Sequence, residues 1–203
     1  MSISISHRFE KQIFNAGIKL LMCCSLFLLF SCEDTYTPKP RAYYRIQMPE
    51  KKYQLYSEDC PYRFDYPTYA KIEKDNRPNS EKCWINIDYP LFDARVHISY
   101  KEVKNNLSQY IEDSRTLTYK HIVKAADIRE DIIVDDSSKV YGLMYDVSGN
   151  AASHMQFYLT DSTHHFLRGS LYFNSAPNYD SILPVLEFIK KDIYHMMNTF
   201  EWK

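Results

Sequence analysis

Three groups of side chains are of types that could do chemistry. The first is Asp146, Ser148 and His154, close enough in sequence to suggest a nucleophile, base and orienter. The nucleophile-elbow pattern Gly-x-Ser-x-Gly is absent, because Ser148 follows Val147 and precedes Gly149. Asp and Ser are also what a turn between strands requires. The second group is Thr163-His164-His165, a possible metal seat. Neighbouring residues of a strand point to opposite faces, so two adjacent histidines do not readily share one ion. No Cys or carboxylate pair stands near them at zinc-like spacing, and adding His154 gives only two ligands. The third is Arg168, in "HFLRGSLYF". Alternation puts it on the face of Phe166 and Ser170, where a charge needs a partner. Asp146 or Asp161 could supply a structural ion pair. The functional alternative is a contact point for another protein or an anionic ligand. The expectation is a chain with no catalytic residues, no metal and no cofactor.

The five cysteines carry a different chemistry. Three lie in "LLMCCSLFLLFSCEDTYTPKPR", which turns abruptly from apolar to polar at Ser31-Cys32. Arg8, Lys11 and Lys19 precede an apolar block over Leu20 to Phe30. As a helix this block reaches about half of a ~30 Å hydrocarbon core. It is short for a lasting span and suits the apolar region of an export signal. Leu29-Phe30-Ser31-Cys32 resembles a bacterial lipobox, although Phe30 is bulkier than is usual there. By that resemblance Cys32 is lipidated and becomes the first residue, while Cys23 and Cys24 leave with the signal. The following Glu33 to Arg41 is polar, holds Pro38 and Pro40, and suits a tether. Two or three acyl chains hold a protein stably, where one does not. Cys60 and Cys83 then remain in an oxidising compartment. They either pair or stay as two reduced, buried thiols. The expected organisation is a signal over 1–31, a lipidated tether over 32–45, and a globular domain over 46–203.

Composition narrows the class. Of 203 residues 45% are hydrophobic and 25% charged, as in a globular domain. The net charge of −1 is interspersed, so no basic stripe offers itself to nucleic acid. The four glycines form no phosphate loop. The 18 tyrosines fit an aromatic-rich sheet or a contact surface.

The elements that must position these residues follow from periodicity. "YRFDYP" alternates and reads as a strand, while Lys71 to Lys82 reads as a loop. "CWINIDYP" and "ARVHISYK" form a hairpin. From Asn105 or Asn106, Leu107, Tyr110, Ile111, Leu117, Ile122 and Ala125 recur at helical spacing as a core stripe, with Ser114, Thr118 and His121 beside it. "DIREDIIVDD" is a strand. Three antiparallel strands follow, with turns at 148–150 and 161–164. A final helix begins near Asp180 or Ser181 and turns Ile182, Leu186, Ile189, Ile193 and Met197 inward. The fold class is α+β: a largely antiparallel sheet with two packed helices. In topology it resembles the PsbP/Mog1-type α/β/α sandwich.

Longer strings resemble one family. "PKPRAYYRIQMPEKKY", "WINIDYP", "ISYK", "GNAASHMQFYLTDSTHHFLRGSLYF", "PNYDSILPVLEFIKKDI" and "FEW" are similar to the gliding motility lipoprotein GldD family of Bacteroidetes-type bacteria, across about Pro38 to Trp202. The resemblance implies a non-enzymatic component of the cell envelope. It would be lipid-anchored, face the periplasm from the inner or the outer membrane, and act through protein–protein contacts. Its partners would be other gliding and type IX secretion envelope proteins. Only Cys32 carries over as a defined site. The rival reading is a periplasmic carrier of a small ligand or lipid, held in an apolar pocket between sheet and helices.

Overall fold

The computed structural model describes residues 46–175 and 178–203. The expected signal, Cys32 and the tether lie outside the described residues. The strands are β1 (Tyr53–Tyr56), β2 (Tyr62–Pro67), β3 (Lys71–Lys74), β4 (Ile85–Tyr89), β5 (Ala94–Glu102), β6 (Ala125–Asp135), β7 (Val140–Gly149), β8 (Ser153–Thr160), β9 (His165–Phe173) and β10 (Glu201–Trp202). Helix α1 (Leu107–Tyr119) follows β5, and α2 (Tyr179–Asn198) follows β9. The fold is α+β. A seven-stranded sheet runs β3-β4-β5-β9-β8-β7-β6, and a three-stranded sheet runs β1-β2-β10. Every described pairing is antiparallel.

Period-two alternation gives the large sheet two unlike faces. Across β5 and β9, Val96 pairs with Leu171 and Ile98 with Gly169 on one face. His97 pairs with Ser170 and Ser99 with Arg168 on the other. The apolar face carries the core. Phe157, Leu167 and Leu171 meet Leu186, Ile189 and Ile193 of α2, with Tyr62 and Phe64 of the small sheet beside them. Gly169 is required here, since a Cβ would stand 2.1 Å from the Phe157 ring. The ring lies over its cross-strand glycine and fills the space. This layer is occupied by side chains, so the apolar cavity expected of a lipid carrier does not lie there.

Helix α1 lies on the polar face, and its orientation differs from the expected stripe. Its buried residues are Ser114 and Thr118, while Leu117 is 41% exposed. The helix turns hydroxyls inward because the sheet beneath it presents Gln156 and Arg168 rather than aliphatics. Ile122 lies past the helix and is exposed, and Ala125 opens β6. Asn106 occupies the N-cap position, but its Oδ1 accepts from the Lys104 N–H at 2.8 Å instead of capping. Two further boundaries move. Lys71–Lys74, expected as loop, is β3 and pairs with β4. Helix α2 starts at Tyr179, capped by the Asn178 side chain accepting from the Ser181 N–H.

Candidate functional site

The polar face of the sheet is built from alternate residues of β4, β5, β9 and β8. On β4 and β5, Arg95 pairs with Asp88, and His97 Nδ1 sits 2.6 Å from Asn86 Oδ1. Asp75, 7% exposed, is held by Arg77. Burial, then the nearby Arg77 and Arg95 charges, pushes the His97 pKa down. Trp84 donates its indole N–H to the Tyr100 carbonyl at 2.8 Å. Lys101, which pairs with Glu81, lies 5.3 Å from the centre of that indole. Between these residues and α1 the chain leaves a cavity of about 590 Å³.

Arg168 lines this cavity. It sits in β9 between Ser99 of β5 and Tyr158 of β8. Its guanidinium donates to Gln156 Oε1, and no carboxylate among the described residues comes within 4.0 Å of it. Burial pushes its pKa down. Gln156 is 1% exposed, and Thr118 Oγ1 also reaches its Oε1, at 3.2 Å. Because the guanidinium has only donors, the amide must turn its oxygen to Arg168. Its Nε2 is then left buried without an acceptor. Burial, then the nearby Arg168 charge, pushes the pKa of His121, just past α1, down.

The carboxylates expected to pair with Arg168 are elsewhere. Asp146 lies on the opposite face of the sheet, level with Met155. There it accepts from Lys190 of α2 at 2.8 and 2.9 Å and from Arg129 at 3.2 Å. Parity decides this: Asp146 shares its face with Met144, not with Tyr145. Asp161 is spent on its own turn. One of its oxygens accepts from the backbone N–H groups of Thr163, His164 and His165, at 3.0, 2.8 and 2.8 Å. Burial alone would push this carboxyl up, but those N–H groups outweigh it and hold it well below the usual carboxylate range.

The other chemical candidates are also separated. Ser148 Oγ donates to the Asp127 carbonyl at 3.4 Å, and His154 Nδ1 lies 3.2 Å from the Val147 carbonyl oxygen. Neither approaches the other as a nucleophile and base would. His165 stacks on Trp202 at 5.1 Å and bonds the Tyr100 hydroxyl, while His164 is exposed. Among the described residues no group of three or more His, Cys, Asp or Glu is placed to hold a metal ion. Cys60 and Cys83 are joined in the structure, with Cα atoms 5.6 Å apart. Gln156, His97 and Asn86 were not singled out by sequence. The alternation of β5 and β8 places them correctly once the strand register is known.

Among the described residues no helix is long and apolar enough to cross a membrane. No curated protein matches the chain. Among solved structures it is similar to cyanobacterial PsbP (CyanoP) from Synechocystis, with 12% identity and a TM-score of 0.48 over 82% of this chain and 100% of that one. The family model of the gliding motility lipoprotein GldD matches residues 33–202, from the residue after Cys32 to the penultimate one. The chain therefore belongs to the gliding motility lipoprotein GldD family.

Proposed function

We propose that this chain is a lipid-anchored envelope protein required for gliding motility, for the assembly or stability of the type IX secretion machinery, or for both. It acts by binding other envelope proteins. The observation that carries this reading is the family match over residues 33–202. The match begins directly after Cys32, where the lipobox resemblance independently puts the anchor. The acyl chains on Cys32 hold the folded part at a membrane, facing the periplasm, with residues 32–45 as the tether. In this reading the domain presents a surface rather than a reaction. The separation of Asp146, Ser148 and His154 into unrelated local bonds agrees with that.

A clean deletion in the native host tests the proposal, complemented by the wild-type gene or by Cys32→Ala. Colony spreading and release of a type IX cargo into the medium are scored. Loss of either activity on deletion, restored by the wild type and not by Cys32→Ala, is the expected result. Normal spreading and normal secretion in the deletion strain would overturn it.

A further inference from the structure

The pocket under α1 has features that packing alone leaves unexplained. Arg168 is a partly buried charge whose only described acceptor is the neutral carbonyl of Gln156. A cation in such a place ordinarily has a carboxylate partner. The other two lining cations have one each: Arg77 has Asp75, and Lys101 has Glu81. The structure also shows why Arg168 is aimed as it is. Gln156 anchors one edge of the guanidinium from below, and Gln156 is itself fixed by Thr118 of α1. Arg168 also lines the cavity, and its other N–H donors have no described acceptor. Ser99 and Ser170 flank it on the sheet, and Asp113 of α1 is the one carboxylate lining the space.

We propose that this pocket binds an organic monocarboxylate, its carboxylate on Arg168 and its apolar body against Trp84, Tyr110 and Phe166. A guanidinium fork matches a carboxylate with two parallel N–H donors. The local charge favours a monoanion over a dianion. Arg168 can offset one negative charge, while Asp113 repels any anion and repels a phosphate dianion more than a carboxylate. The cavity of about 590 Å³ is far larger than a carboxylate and lies within the range of small-molecule sites. Tyr110 and Phe166, with ring centres 5.4 Å apart, offer an aromatic wall from α1 and β9 together. The site does not depend on the motility reading. It uses neither the lipid anchor nor a protein partner.

The test is calorimetric titration of the full chain, in a non-ionic detergent, with N-acetylphenylalanine, its C-terminal amide and inorganic phosphate. Saturable binding of the carboxylate, at least tenfold weaker for the amide and for phosphate, is expected. Arg168→Gln should weaken carboxylate binding at least tenfold. Asp113→Asn should strengthen it several-fold by removing the competing charge. Absence of saturable carboxylate binding, equal affinity for acid and amide, or a preference for phosphate would each overturn the assignment. So would unchanged affinity in a folded Arg168→Gln protein. Should that variant fail to fold, Asp113→Asn decides, because unchanged affinity there places any binding outside this pocket. A normal deletion phenotype would overturn the motility proposal and leave this one standing.

Discussion

Lys51 and Asp192 stand 141 residues apart in sequence, and the Lys51 Nζ lies 2.5 Å from an Asp192 carboxylate oxygen. The Asp192 side chain is fully buried on α2 and also accepts from the hydroxyls of Tyr53, at 3.0 Å, and Tyr69, at 2.5 Å. The Lys51 ammonium in turn lies 3.6 Å from the centre of the Phe188 ring. One carboxylate thus fastens the segment leading into β1, and the residues after β2, to the last helix. Removing one partner of a buried pair leaves a charge uncompensated, at about 3–5 kcal/mol. The two phenols still solvate Asp192, so Lys51→Met should cost about 3 kcal/mol, at the low end of that range. Adding Asp192→Asn should recover part of the loss. Urea unfolding of the two variants measures this. A loss for Lys51→Met below about 0.5 kcal/mol, as for an ordinary surface change, would contradict it.

The same cluster makes the fold sensitive to alkali. Burial, then the bond to Asp192, pushes the Tyr53 phenol up to about 12. Burial likewise pushes Tyr56 and Tyr145 up to about 12. An unfolded tyrosine ionises near pH 10. Between these values the unfolded chain has released protons that the native one still holds, so stability falls as pH rises from about 10 toward 12. Unfolding midpoints across that window should drop steadily. Tyr53→Phe should flatten the slope, and an unchanged slope would remove Tyr53 from the account.

On the acid side His97 sets the sign. Its pKa is lowered, by burial first and then by Arg77 and Arg95. An unfolded histidine takes a proton near pH 6.5 while the native one resists it, so stability falls as pH drops below about 6.5. His97→Gln retains a polar partner for Asn86 and removes the titration. Thermal melts of both proteins from pH 8 to pH 5 should converge as the pH falls. A constant gap between them would count against this role.

Much of this architecture was legible in the sequence. The "ARVHISYK" alternation gives β5 both of its faces, and Leu186, Ile189 and Ile193 give α2 its core stripe. The polar layer was not legible. Leu107, Tyr110, Ile111 and Leu117 fit helical spacing well, yet α1 buries Ser114 and Thr118. What a helix buries depends on the surface it meets, and that surface needs the cross-strand register of β5, β9 and β8. Asp146 was misplaced for the same reason: its parity within β7 puts it on the α2 side, with Lys190. No local pattern reveals the pairing of Lys51 with Asp192, because nothing in either neighbourhood refers to the other.

Gly169 and Phe157 make a separable packing prediction. A Cβ at 169 would meet the Phe157 ring at 2.1 Å, and both residues lie in central strands. Overpacking of this kind costs about 1–3 kcal/mol. Gly169→Ala should therefore destabilise by that amount. Combining it with Phe157→Leu should cost less than the sum of the two changes, because the smaller side chain gives the methyl room. Additive losses would mean that Gly169 is needed for some reason other than this ring.

The last prediction concerns Cys60 and Cys83, separated by 23 positions and joined across the segment that contains β2 and β3. Closing a loop of that size stabilises a fold by roughly 3 kcal/mol in the chain-entropy account. The bridge also pins the start of β2 to the start of β4, near the bond from the Tyr62 hydroxyl to the Cys83 carbonyl at 2.7 Å. Alkylation without reductant, followed by peptide mass measurement, should label neither cysteine. The Cys60→Ser and Cys83→Ser variants, and the reduced wild type, should each lose about 3 kcal/mol. Because the three share one broken bond, adding reductant to either variant should cause no further loss. Two readily labelled thiols in the protein from its native envelope would show that the pair stays reduced, and that the tyrosine-rich core stabilises this end of the domain unaided.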